Sequence, residues 1–470
     1  GMRKPTAERR QGVLYRAYEI IRYGIFALFL CLTCFFVYRQ KHEYLLWLYF
    51  FTFPFQNCAF YLITTWNPYK VVAIGMLFCI LFHPANSRTS DVLKRIVAYF
   101  FIVLLLSNLF SLLMPPENVG TRTLIRLLVQ DATYILGVVP LLFMNRLPRD
   151  FDQRVIKWYT YAICTLIGIG FVHYFFLKAG IPFAPIIRDV GTSNAVAATF
   201  FGGDTVFRIY GLCGEPKNMA FALTPFVLFL ITNFLYKKKL DLKAATILAL
   251  GLFILLNTFS SAAFIEFAIG LIGVVILILS RTNKLVAILT ISTVLVIGSF
   301  GLFLSEIQKT QPTNAKTEIS FINSFYERSF GRAQNEIEDG RSEVLITKDF
   351  IESYNPIYYL FGYGPGQYSF HSKNLTFSGG YIPVQSGLVL NLVDFGLIGY
   401  LFFFYLLYQV YTLYKKSKSN DISFYFIVIG CCTMIGNFMY SMMGGSILIG
   451  MLPFIGIAFQ SYHYNTEYED

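Results

Sequence analysis

Long apolar runs, each closed by a short polar turn, make up most of this 470-residue chain. They lie near residues 23–38, 44–63, 69–84, 96–114, 124–144, 156–177, 217–236, 243–257, 261–280, 285–304, 386–414, 421–441 and 445–462. A helix needs roughly 20 residues to cross a bilayer, so the shorter runs would be tilted or partial. The pattern predicts an all-α polytopic integral membrane protein, a bundle of about 12 to 14 transmembrane helices. One long polar stretch, Ser305 to Gln385, interrupts the series. Ordered loops of that length are usually functional.

Short loops between the runs carry Lys and Arg, and their alternation sets orientation. Arg88, Lys94 and Arg95 mark one inner loop. Arg146, Arg149, Arg154 and Lys157 mark a second, Lys237-Lys238-Lys239 with Lys243 a third. Arg281 with Lys284, then Lys415, Lys416 and Lys418, complete the set. From residue 85 onward the alternation has no exception, and it places 178–216 and 305–385 together outside. The expected organisation is a basic cytoplasmic segment 1–22, a transmembrane bundle over 23–304 that includes the outer loop 178–216, the large outer loop 305–385, C-terminal spans over 386–462 and a cytoplasmic tail 463–470. The start conflicts with this scheme. Thirteen spans put the N-terminus outside, whereas Arg9, Arg10 and Arg16 suit a basic helix on the inner surface.

Composition agrees with a membrane class. The chain is 56% hydrophobic and 14% charged, with 49 Phe and 32 Tyr, against about 25% charged residues in a soluble domain. The net charge of +11 follows the loop clusters, so it reports topology and argues against nucleic acid as a partner. The eight cysteines lie mostly in apolar runs, with only Cys213 in an outer loop; they read as small core residues without disulfide or metal spacing. Gly1 ahead of Met2 reads as the remnant of a tag. No cleavable signal is expected, because the first apolar run leads into further spans.

Candidate chemistry sits in the two outer loops. The first runs from Gly202-Gly203-Asp204 through Arg208-Ile209-Tyr210-Gly211 to Gly214-Glu215-Pro216-Lys217-Asn218. Its glycines allow tight turns beside charged side chains, and Pro216 suits the first turn of the next helix. Arg208 could hold an anion, or simply pair with Glu215. In the second loop, residues 341–354 carry apolar side chains at 344, 345, 350, 351 and 354, a helical stripe. Arg341 would open that helix, where backbone N–H groups and a guanidinium together make a phosphate site; it could instead pair with Asp339 or Glu343. Arg328 and Arg332 lie upstream in the same loop. Asn355-Pro356 ends the helix, and Phe361-Gly362-Tyr363-Gly364-Pro365-Gly366 follows, a glycine cluster with no βαβ unit around it. His371 is a candidate general base, although a lone loop histidine is commonly just solvated. Glu266 and Asp394 are carboxylates within or at the edge of spans, each a functional hypothesis or a helix–helix hydrogen bond.

Taken in order, these residues resemble a family. The chain resembles the O-antigen polymerases of the Wzy type, within the superfamily of GT-C-like membrane glycosyltransferases that also holds the O-antigen ligases. The resemblance rests on Arg208-Ile209-Tyr210-Gly211 with Glu215-Pro216-Lys217-Asn218, on Ser260-Ser261, and on Gly340-Arg341-Ser342. It rests too on Phe361 to Gly366, and on Leu390 to Gly399 (LNLVDFGLIG). It covers most of the chain from about residue 44.

The resemblance implies an inverting, metal-independent glycosyl transfer on the periplasmic face of a bacterial inner membrane. It implies undecaprenyl-pyrophosphate-linked oligosaccharide as substrate and no cofactor. A chain-length regulator (Wzz type) and a flippase (Wzx type) are the implied partners, besides membrane lipid. The family's two pyrophosphate-holding arginines match Arg208 and Arg341. The expected catalytic set is then Arg208, Arg341, Glu215 and His371. Arg332, Arg328, Lys217, Tyr210, Tyr363, Gly362 and Gly364 are expected at the substrate, and no metal ligand is expected. The chemistry is coherent: pyrophosphate is a good leaving group, so the protein chiefly stabilises its growing charge, and arginine binds it bidentately.

One position departs from the ligases, which carry a histidine where this chain has Gln385. Glutamine is no general base, which favours the polymerase branch and leaves the base open among Glu215, His371 and Asp204. A ligase transferring glycan to lipid A core is the alternative. A flippase or transporter is the third reading, and it would predict internal repeats and broken mid-span helices.

Overall fold

A computed structural model of the protein describes residues 7–56, 58–62, 64–116, 120–179, 198–201, 204–237, 241–258, 260, 267–268, 270–275, 342–371, 387–416 and 446–466. The fold is a helical, multi-pass membrane bundle. Among the described residues six helices are long and apolar enough to cross a membrane, and two shorter apolar helices, Pro68–Phe82 and Leu242–Asn257, accompany them. The expected spans at 285–304 and 421–441, and most of 261–280, lie outside the described residues. The chain divides into two compact units.

The first unit comprises 1–86, 146–227 and 241–260. Helix α1 (Ala7–Tyr38) packs on α2 (His42–Phe51) and α3 (Pro68–Phe82). Helix α2 also lies on α6 (Phe151–Lys178). The core is Leu45, Leu46, Tyr49 and Phe50 of α2 against Val72 and Met76 of α3, all fully buried or nearly so. Gly75 lets α1 and α3 approach, since a Cβ there would strike Thr33.

The run 44–63 is not a span. Pro54, without an N–H, breaks α2 into a 3₁₀ turn, Phe53–Phe55. Beyond it, aromatic and β-branched residues form a hairpin, β1 (Phe60–Leu62) with β2 (Thr64–Trp66), in register Phe60 to Trp66.

The N-terminal segment joins the first span. Residues from Ala7 onward continue into the first span as one 32-residue helix, about 48 Å long at 1.5 Å per residue. Its first half reaches the hairpin: the Tyr23 and Phe26 rings lie 6.1 and 5.9 Å from Phe60. Its other end meets the start of α2, with Phe36 stacked on Tyr44. Arg16 and Arg22 therefore sit at the opposite end of this unit from His42 and His83.

The second unit comprises 87–145, 228–240 and 261–470. Helices α4 (Asp91–Leu113) and α5 (Thr121–Phe143) pack together. The two helices described last in the chain, Gly387–Lys416 and Ser446–Thr466, pack with them. At one end Ser87 Oγ meets Tyr464 Oη at 2.6 Å and Gln460 Oε1 accepts from the Ser90 N–H. Short helices from the large loop, Ser342–Ile351, Pro356–Phe361 and Tyr368–His371, cover the other end.

Candidate functional site

The Arg208 loop lies in the first unit, between the hairpin β3 (Ala198–Phe201) with β4 (Asp204–Phe207) and α7 (Pro216–Lys237). Two positive-φ glycines shape it, Gly211 at +53° and Gly214 at +87°, where a side chain would be strained. The loop is clamped from three directions. Ile209 N–H donates to the Asn257 carbonyl (3.0 Å), and Arg208 Nε donates to the Thr258 carbonyl (3.2 Å). These acceptors lie at the end of α8 (Leu242–Asn257). His173, fully buried near the end of α6, accepts two backbone N–H groups on Nδ1, from Tyr210 (3.2 Å) and Gly211 (3.1 Å). Cys213 Sγ points at the Phe53 carbonyl (3.4 Å).

Arg208 is half-buried. Glu215 pairs with Lys217 at 2.9 Å, and its carbonyl accepts the N–H groups of Asn218 and Met219. Ser260, the first residue of the Ser260-Ser261 pair, is buried in the same unit. Tyr210, expected at the substrate, is buried with its ring 4.2 Å from His173. Burial pushes its hydroxyl up to about 12. What the loop offers chemically is one guanidinium held by its backbone neighbours, with a carboxylate and an ammonium beside it.

The glycine motif lies in the second unit and is built onto a kink. The last-but-one described helix, Gly387–Lys416, breaks at Gly396 (φ 62°, ψ −151°). The break frees carbonyls that a continuous helix would use four residues on. Tyr363 N–H takes the Val393 carbonyl at 2.7 Å and Gly364 N–H takes that of Asp394 at 3.2 Å. Gly366 N–H completes the series on Asp394 Oδ1 at 3.0 Å, while Tyr134 Oη donates to Asp394 Oδ2 (3.1 Å). Gly362 and Gly396 lie back to back. A Cβ on Gly396 would stand 2.6 Å from Gly362 N, and one on Gly362 would strike the Asp394 carbonyl. Gly364 faces Ser111 just as closely. Asp394, fully buried, is thus a bracket for the motif. Gly362, Gly364 and Tyr363 hold this bracket together, and Tyr363 is buried in a cluster with Ile346, Phe350 and Leu390.

The loop helix spans Ser342–Ile351, close to expectation, but its buried face differs. Ile346 and Phe350 are inside, while Ile351 and Tyr354 are 56% and 81% exposed. Asn355 caps the following helix, its Oδ1 accepting from Ile357 N–H at 3.0 Å, with Pro356 behind it. His371 stacks on Tyr363, ring centroids 4.3 Å apart and 6° from parallel. Its buried Nε2 has no hydrogen-bond partner among the described residues, and burial pulls its basicity down to about 4. The imidazole is therefore neutral at ordinary pH but a weak proton acceptor, which argues against a general-base role.

Arg126, in the early turns of α5, was not among the expected residues. Its Nε donates to the Gly366 carbonyl at 3.2 Å. The signal for it was a misfit: Arg122 and Arg126 lie at the end of α5 that the Lys/Arg alternation calls outer, where cations are scarce. Arg341, Arg328, Arg332, Glu266 and Gln385 lie outside the described residues. The described parts of the two loops fall in separate units.

Comparison of the chain with protein-family models and with curated proteins finds no match.

Proposed function

We propose that this protein is a membrane glycosyltransferase, an O-antigen-type polymerase that joins lipid-pyrophosphate-linked oligosaccharide repeat units on the outer face. The growing glycan on its lipid pyrophosphate is the donor, and a hydroxyl of one further repeat unit is the acceptor. The observation that carries the reading is the Arg208 loop. Hydrogen bonds to the carbonyls at the end of α8 and to the His173 ring of α6 fix it, so the guanidinium is placed in advance to meet charge growing on the leaving pyrophosphate. Glu215, with Lys217 beside it, is a carboxylate within the same loop. On this reading Glu215 takes the acceptor's proton, and Arg341, the second arginine that the resemblance implies, lies outside the described residues. Asp394 weighs against a carrier, because both its carboxylate oxygens are taken by the protein's own Gly366 and Tyr134.

The test is polymerisation of lipid-linked repeat units by purified variants that stay monodisperse in detergent. Arg208→Ala and Arg341→Ala should each cost about 3 kcal/mol or more, a hundredfold loss in rate. Arg→Lys should restore little, since a point charge lacks the bidentate fork. Wild-type rates in both alanine variants would remove the site. A deletion strain separates polymerase from ligase: a single repeat unit left on the lipid core means polymerase, and a bare core means ligase.

A further inference from the structure

At the other end of the first unit, three side chains with metal-ligating atoms converge. Cys79 and His83 are four residues apart, one turn along the end of α3 and on one face. His42 opens α2 opposite them. His42 Nε2 and His83 Nδ1 are hydrogen-bonded at 3.2 Å, and one ring nitrogen of each histidine and the Cys79 sulfur all lie within 4.8 Å of one another. Cys79 is fully buried and His42 nearly so.

We propose that His42, Cys79 and His83 form a binding site for a zinc ion, with water in the fourth position. Zinc takes nitrogen at about 2.0–2.1 Å and sulfur at about 2.3 Å in a tetrahedron, which sets two ligating nitrogens about 3.3 Å apart and nitrogen from sulfur about 3.6 Å. The histidine pair already has that separation; the sulfur needs only to swing inward. Binding forms one Zn–S and two Zn–N bonds and breaks the hydrogen bond between the two imidazoles; the ring that donates in it moves that proton to its other nitrogen, and the Cys79 thiol gives its proton to solvent.

A second feature supports the site. His42 is also hydrogen-bonded with the backbone of Arg146, and such contacts orient a ligating imidazole. Arg146 is itself fixed, with its guanidinium donating to the carbonyls of Cys79 (2.9 Å), Ile80 (2.7 Å) and His83 (3.1 Å). Its charge opposes a bare cation, which makes the anionic thiolate the necessary third ligand. The ion would staple α2 to the end of α3. It would take no part in glycosyl transfer: α6 meets Glu43, beside His42, through Arg154 and meets the Arg208 loop through His173, 19 residues or roughly 28 Å further along.

The experiment uses the purified full chain in detergent, loaded with zinc, desalted and assayed for metal. It is then repeated with Co²⁺, whose thiolate charge-transfer band reports sulfur ligation. Wild type should retain a single zinc per chain and show the band. Cys79→Ser should abolish the band, and Cys79→Ser and His42→Gln should each weaken binding at least by the roughly 10–100-fold that losing a supporting contact costs. A wild-type protein that retains no zinc overturns the proposal without any variant. A band that survives Cys79→Ser overturns it too, by assigning the metal to another thiol.

Discussion

His173 offers the most direct way to ask whether the Arg208 loop must be held rigid. Its Nδ1 accepts two backbone N–H groups, from Tyr210 and Gly211, so the ring carries its proton on Nε2. Replacing it by leucine keeps most of the volume and removes the acceptor. Each buried N–H left without a partner costs about 1–3 kcal/mol, so the loop loses about 2–6 kcal/mol, and the edge-to-face contact with Tyr210 adds up to about 1 kcal/mol. Even 2 kcal/mol is roughly a 30-fold shift in an opening equilibrium. Hydrogen exchange should show the Tyr210 and Gly211 amides of His173→Leu exchanging at least about 30-fold faster. The change should stay local, with the α2–α3 core as protected as before. Polymerisation should fall with it, through loss of the pre-set guanidinium. His173→Gln, which can present a carbonyl oxygen, should recover part of both. If His173→Leu leaves those amides at wild-type exchange rates, the clamp is not what holds the loop.

Three further outcomes are expected. Asp394→Ala should destabilise the protein by about 2–6 kcal/mol by stranding the Gly366 N–H and Tyr134 hydroxyl, whereas Asp394→Asn should be milder; equal melting temperatures for the two would contradict the bracket. His371 is held neutral down to about pH 4, while an unfolded imidazole gains its proton near 6.5. The unfolded state then binds more protons between those values, so stability falls as pH drops through that window, by up to about 3 kcal/mol. His371→Phe should flatten that part of the profile in thermal melts, and an unchanged slope would assign it elsewhere. Ser372→Cys should label from the outer compartment, and labelling only from the cytoplasm would reverse the orientation read from Lys and Arg.

The apolar runs that became helices were legible because length and hydropathy decide insertion locally. Helices α4, α5 and α6 lie close to the runs at 96–114, 124–144 and 156–177. The run 44–63 misled because hydropathy is blind to Pro54 and to strand-forming residues such as Thr64 and Thr65. The loop helix was found within a residue or so of its start, yet its inner face was misread. Tyr363 and Tyr368 pack on Ile346 and Phe350, and no local pattern announces partners so far along the chain. Arg208 was legible as a charged residue among glycines, but His173 was not. A histidine deep in an apolar run looks like any other until the loop it serves, 37 residues later, is folded against it. The pairing of Cys79 with two histidines was missed for a similar reason, since counting cysteines alone hides a mixed ligand set.

The contact of Gly362 with Gly396 has a mechanical consequence. Two backbones that touch without side chains between them cannot slide past each other, and the hydrogen bonds on Val393 and Asp394 lock their register. The segment from Gly387 to Phe395 is therefore tied to the short helices of the large loop, while the part beyond Gly396 packs on α4 through Phe402 and Tyr405. If the protein handles a lipid-borne chain as proposed, a motion that admits it here either carries these pieces as one block or bends at Gly396. The short helices near the glycine motif act as an abutment, not a flap.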